Sequence, residues 1–154
     1  KDSTIDTLMS FVKQRDTRLY NHLIQTAKIA FVITTEMELP EDEKELLLNV
    51  SLLHDLGKVF DPLGNKTLQH TRKILSLFGN LFSEELSIIE AYHNNFFQGG
   101  GENLSLLLKL LSIADVLSVK EPIALKKKYL NDKKKYIGHE LTNIAVSIVE
   151  KYLH

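Results

Sequence analysis

A histidine and an aspartate stand side by side near the end of an apolar run, in Leu52-Leu53-His54-Asp55-Leu56-Gly57-Lys58. Both are metal-ligating types, and an adjacent imidazole and carboxylate make an odd pair to bury unless they share a ligand such as a hard divalent ion. Neighbouring helical residues point about 100° apart, so His54 and Asp55 reach one ion only from adjoining walls of a pocket, and other helices must complete the shell. The same dipeptide also reads as a surface pair at a helix end, where histidine suits the dipole. Asp115 is harder to leave on a surface. It lies in Leu110-Leu111-Ser112-Ile113-Ala114-Asp115-Val116-Leu117, and a carboxylate in so apolar a helix is costly to bury unless paired or metal-bound. His22, His70 and His93 also fall on patterned segments, although each alone reads more simply as a boundary histidine bonded to a carbonyl. The chain has no cysteine, which excludes thiol catalysis, disulfides, cysteine-held zinc and iron–sulfur ligation. Any metal must sit on His, Asp or Glu.

The elements that have to position these groups are helices. Ile5, Leu8, Met9, Phe11 and Val12 mark a first amphipathic helix, and Leu19, Leu23, Ala27, Ala30, Phe31 and Ile33 a longer second one. Pro40 with Glu41, Asp42 and Glu43 opens a third, expected to run to about Leu56 and stop at Gly57. Residues 60–66 read as a loop. Thr67 is a candidate cap for a fourth helix ending at Gly79, and Ser83 for a fifth reaching His93. A loop of Asn94, Asn95, Phe96, Phe97, Gln98 and three glycines follows. Asn103 then caps a sixth helix, apolar nearly all round and therefore central. Pro122 opens a shorter helix, and Gly138 precedes the last. With no strand-period segment, the expectation is one all-α domain over residues 1–154, a bundle of about six to eight helices.

Taken in order, His22, the His54-Asp55 pair, His70, His93 and Asp115 resemble the HD superfamily of metal-dependent phosphohydrolases, most closely its HD-GYP branch. The resemblance covers about residues 19–119. Leu53 to Lys58 matches the HDxGK signature, His70 to Leu75 the following histidine helix, and Ile113 to Val116 the closing aspartate motif. It implies an HD-domain helical bundle in which His22, His54, Asp55 and Asp115 hold a first divalent ion, and Asp55 bridges to a second held also by His70 and His93. Fe, Mn, Co, Ni, Zn or Mg is implied, as one or two ions, and mixed imidazole and carboxylate donors suit the transition metals among them. Asp55 and Lys58 are the implied catalytic pair, with Lys58 holding a phosphate or leaving oxygen. The implied substrate is a phosphorylated small molecule, a nucleotide or signalling nucleotide.

The chain also departs from that branch. The double histidine followed by glutamate is here His93-Asn94-Asn95, the Gly-Tyr-Pro signature is absent, and Arg18 occupies the place of a carboxylate that accompanies a third metal. Asn94 remains a weak candidate ligand for metal or substrate. These departures raise a second reading, a degenerate HD-GYP-like module that binds a ligand or protein partner without turnover, as part of a longer chain.

Composition narrows the partners. The 154 residues carry 19 Lys+Arg against 20 Asp+Glu, a formal net charge of -1, without the basic excess usual in nucleic-acid binders. Lys126, Lys127, Lys128, Lys133, Lys134 and Lys135 read as a solvated helix flank rather than an anion site. No apolar run approaches the ~20 residues of a membrane span, and no leader segment is visible, so a cytoplasmic location is expected. Phe96 and Phe97 read as core plugs sooner than as a lid over a base. His139 and His154 stay unassigned.

Overall fold

The computed structural model describes residues 1–96 and 106–153. The helices are α1 (Asp2–Arg15), α2 (Thr17–Glu36), α3 (Glu41–Leu53), α4 (Thr67–Ser76), α5 (Ser83–Ala91), α6 (Leu106–Leu117), α7 (Ile123–Asp132), the single turn α8 (Lys134–Ile137) and α9 (His139–Tyr152). A 3-10 turn, Leu56–Val59, follows α3, and a π turn, Tyr92–Phe96, extends α5. No strand occurs among the described residues, so the expected all-α architecture holds. Counting the single turn α8, there are nine helices among the described residues. Phe97, the three glycines, Asn103 and His154 lie outside the described residues, as does the ring of Phe96.

The core forms where apolar stripes meet. Leu19, Leu23, Ile29, Ala30 and Ile33 of α2 face Leu47, Val50 and Leu53 of α3, all buried. Helix α6 is central: Leu110, Leu111, Ile113 and Ala114 are inaccessible, and it touches α2, α3, α5, α7 and the π turn. An apolar helix buried on most sides is stable only in the middle of such a bundle. Helices α7, α8 and α9 associate with one another and close the far side of α2. No helix among the described residues is long and apolar enough to cross a membrane.

Several boundaries differ from those expected. Helix α3 ends at Leu53, three residues early, and the chain tightens into the 3-10 turn, so Gly57 lies inside an element rather than stopping one. Helices α1 and α2 are separated only by Asp16, whose carboxylate accepts from the Leu19 amide at 3.0 Å. A cap of this kind stabilises a helix by about 1 kcal/mol. Neither Thr67 nor Ser83 caps: each is the first residue of its helix, and the Thr67 hydroxyl is buried without a partner. Lys126 is not part of a solvated flank. Its ammonium is buried and donates to the Leu117 carbonyl at 2.8 Å, closing the end of α6. Lys127 pairs with Glu150 at 2.8 Å, and Lys133 lies over the rings of Tyr129 and Tyr136.

Candidate metal centre

Four groups converge where α2, the end of α3 and α6 meet. His22, His54, Asp55 and Asp115 each offer one ligand atom, and all four atoms lie within 4.8 Å of one another. Asp115 Oδ1 is 2.9 Å from His22 Nε2 and 3.2 Å from His54 Nε2, while Asp55 Oδ2 is 3.2 Å from His54 Nε2 and 4.0 Å from His22 Nε2. Two imidazole nitrogens and two carboxylate oxygens turned toward one point form a donor set that suits a divalent transition ion.

The groups behind these ligands fix their orientation. His54 Nδ1 donates to the Ser51 carbonyl at 2.9 Å, which directs Nε2 to the centre. Ser118 Oγ donates to the Asp115 carbonyl at 2.6 Å, so it accepts from His22 Nδ1 at 3.0 Å and turns that ring's Nε2 inward as well. Thr26 Oγ1 lies 2.8 Å from the His22 carbonyl and 3.0 Å from Ser118 Oγ, tying α2 to the end of α6.

The π turn supplies a residue that sequence reasoning did not single out. Tyr92 is buried, and its hydroxyl donates to Asp115 Oδ2 at 2.8 Å, which leaves Oδ1 to face the two imidazoles. Its ring also meets that of His54 edge-on at 5.9 Å. A tyrosine closing an apolar helix carries no signal in sequence beyond that of a core aromatic. Removal of only the hydroxyl, Tyr92→Phe, is expected to weaken Mn2+ or Co2+ binding about 10- to 100-fold, the usual effect of losing a group that orients a ligand. Calorimetry with the metal, and the visible spectrum of the Co2+ form, measure it. Unchanged affinity and spectrum would dismiss the role.

His93, the next residue, donates from Nε2 to the His54 carbonyl at 3.0 Å and lies 3.9 Å from Asp55 Oδ1. The two oxygens of Asp55 thus face different sides, Oδ2 toward the four-residue group and Oδ1 toward His93. His70 is not in that group. It lies on α4 against the ring of Phe60 at 6.3 Å, held beside the 3-10 turn by the approach of α4 to Gly57. Lys58 Nζ is 3.1 Å from Asp55 Oδ2 and partly exposed at the rim, whereas Asn94 is exposed and outside the cluster. Arg18 and His139 are exposed, the latter within 3.2 Å of Asn143 Nδ2.

Electrostatics reflect the crowding. Burial alone pushes the His54 imidazole down, but Asp55 and then Asp115 outweigh it and hold its pKa well above 6.5. Burial pushes both carboxyls up. Asp55 is nonetheless held far below the carboxylate range by His54, and Asp115 by its close contacts with His22 and His54. In the metal-free protein the His54 contribution to stability is therefore complete below about pH 6.5 and is lost as pH rises through the raised pKa. The carboxylates contribute above about pH 4 and lose that contribution only in stronger acid. A divalent ion competes with the His54 proton, so the rise in Tm on adding Mn2+ is expected to be larger near pH 8 than near pH 6. Thermal scans at the two pH values test this; a gain that is equal, or larger in acid, would contradict it.

No curated protein and no solved structure matches this chain. A family model does: the HD domain, over residues 19–120, a span that includes all four converging ligands and both His70 and His93. HD domains bind divalent metals and act as metal-dependent phosphohydrolases, and the His/Asp cluster fits that chemistry. The chain belongs to the HD domain family.

Proposed function

We propose that the chain hydrolyses a phosphate ester or diester of a nucleotide. The observation that carries this reading is the turning of Asp115 Oδ1 and Asp55 Oδ2 toward the same two imidazole nitrogens. His22, His54, Asp55 and Asp115 would hold the first ion, and Asp55 Oδ1 with His93 and His70 a second. When bound, such ions acidify a water and neutralise the charge that develops on a phosphoryl group.

The protein's own groups do the rest. Asp55, buried against His54, is a carboxylate at any working pH and orients a water approaching the phosphorus. Lys58, at the rim and tied to Asp55 Oδ2, is within reach of a phosphate oxygen, where its ammonium offsets charge on the leaving group. Tyr92, Ser118 and Ser51 hold the ligands in place, so that little rearrangement accompanies the reaction.

The test is metal analysis of protein purified without chelator, followed by assay with Mn2+ or Fe2+ on nucleoside monophosphates and cyclic dinucleotides. Turnover lost to chelator and restored by metal is expected. No bound ion and no turnover with either metal would overturn the reading. The second reading, a ligand-binding or docking module without turnover, is favoured by one observation: His93 Nε2 is engaged by the His54 carbonyl and His70 stands outside the four-residue group. Partner or ligand binding that survives loss of Asp55, with no turnover in either form, is its signature.

A further inference from the structure

We propose that Phe60, Phe11 and Arg15 form a subsite that holds the planar base of the nucleotide beside the metal centre. The proposal rests on the reading of the substrate as a nucleotide and names the residues that recognise it. Phe60 closes the 3-10 turn that carries Lys58, and it is 50% exposed. Phe11 of α1, 37% exposed, lies 6.1 Å from it, ring centroid to ring centroid. A ring that merely fills this core is covered, as Phe82 is at 1%. Here two aromatic faces are left in water side by side.

Three features set this pair apart from a stray surface patch. The Arg15 guanidinium lies over both rings, 5.7 Å from Phe11 and 5.8 Å from Phe60, and no carboxylate among the described residues is within ion-pair distance of it. A cation held against aromatic faces without an anionic partner suits a ligand that is both flat and negatively charged. The patch also lies beside His70, whose ring is 6.3 Å from that of Phe60 and which the proposed function assigns to the second ion. Finally, Phe60 is five residues beyond Asp55 along a turn rising about 2 Å per residue, which puts their backbones roughly 10 Å apart, comparable to the span of a sugar and a phosphate. A phosphoryl group at the carboxylate cluster thus brings the base of the same molecule to the rings.

The experiment compares AMP, GMP, CMP and UMP with ribose 5-phosphate, each as its non-cleavable 5′-methylenephosphonate analogue, by calorimetric titration of the Mn2+-loaded full chain. The analogues are not cleaved, so binding is read independently of the reaction. Nucleotides are expected to bind roughly 5- to 150-fold more tightly than ribose 5-phosphate, the range for stacking on one aromatic ring, with little distinction among bases. Phe60→Ala should remove most of that preference. Phe60→Leu keeps an apolar cover on His70 and should lose the preference while unfolding at the wild-type temperature. Arg15→Gln, which removes the cation over both rings, should weaken nucleotides more than ribose 5-phosphate.

Equal affinity of the wild type for nucleotides and ribose 5-phosphate, no binding of any nucleotide, or a base preference that persists in Phe60→Ala would each overturn the proposal. A protein-docking patch would give the first of these results. A preserved base preference without metal-dependent turnover would leave the subsite standing and remove the hydrolase reading; turnover indifferent to Phe60 would do the reverse.

Discussion

Asp55→Asn is expected to eliminate metal-dependent hydrolysis, by on the order of 10³-fold or more, while leaving a folded protein. Asparagine has the shape of aspartate, so the buried site is not emptied. What disappears is the charge that faces His54 and His22 on one side and His93 on the other. Both sets of donors lose a ligand at once, which is why the effect should exceed that of Tyr92→Phe, where only an orienting bond is lost. A second readout separates this cause from general damage. Asp55 is the foremost of the groups that raise the His54 pKa against burial, so without it the imidazole should titrate lower. The decline of metal-free stability above about pH 6.5 should then be smaller and be complete at lower pH. Turnover within tenfold of wild type would remove Asp55 from the reaction.

Gly57→Ala is expected to give the largest change in stability. The backbone of α4 comes so close that an added Cβ would collide with the Thr67 carbonyl oxygen and lie 2.8 Å from both the Thr71 nitrogen and the His70 Cβ. Two of these neighbours are main chain and cannot rotate away, so α4 must move as a body. That also stretches the bond from the Gly57 amide to Thr71 Oγ1, now 2.8 Å. Overpacking of this kind costs about 1–3 kcal/mol or more, a fall in Tm of roughly 3–10 °C for a chain of this size. Because His70 rides on α4, metal stoichiometry should fall toward one ion before the first site is affected. An unchanged Tm would show that α4 yields without cost.

The same glycine shows how far the sequence could be read. Its place after His54-Asp55 suggested a helix stop, yet it sits within a turn and its use is the absence of a side chain against a helix that begins ten residues later. A close approach between segments leaves no local trace. The helices themselves were legible because apolar spacing records burial, and Asp115 was legible because a carboxylate in an apolar helix has few cheap explanations. Tyr92 and Lys126 were not, for a shared reason. One reads as a core aromatic and the other as a solvated lysine until the folded chain brings Asp115 Oδ2 and the Leu117 carbonyl to them. Thr67 and Ser83 misled in the opposite direction, since a hydroxyl near a helix start is as readily the first helical residue as the cap.

The π turn makes the site sensitive to chain length as well as to residue type. A turn closed over one extra residue aims Tyr92 at Asp115 and His93 at the His54 carbonyl in succession. Deleting a single residue there would restore ordinary helical winding and swing whatever follows by about a quarter of a circle, even with every ligand still present. Homologous or engineered chains that keep all six imidazole and carboxylate positions but differ by one in the count from Tyr92 to Phe96 therefore need not share this centre. For this segment, gaps in an alignment carry as much meaning as identities.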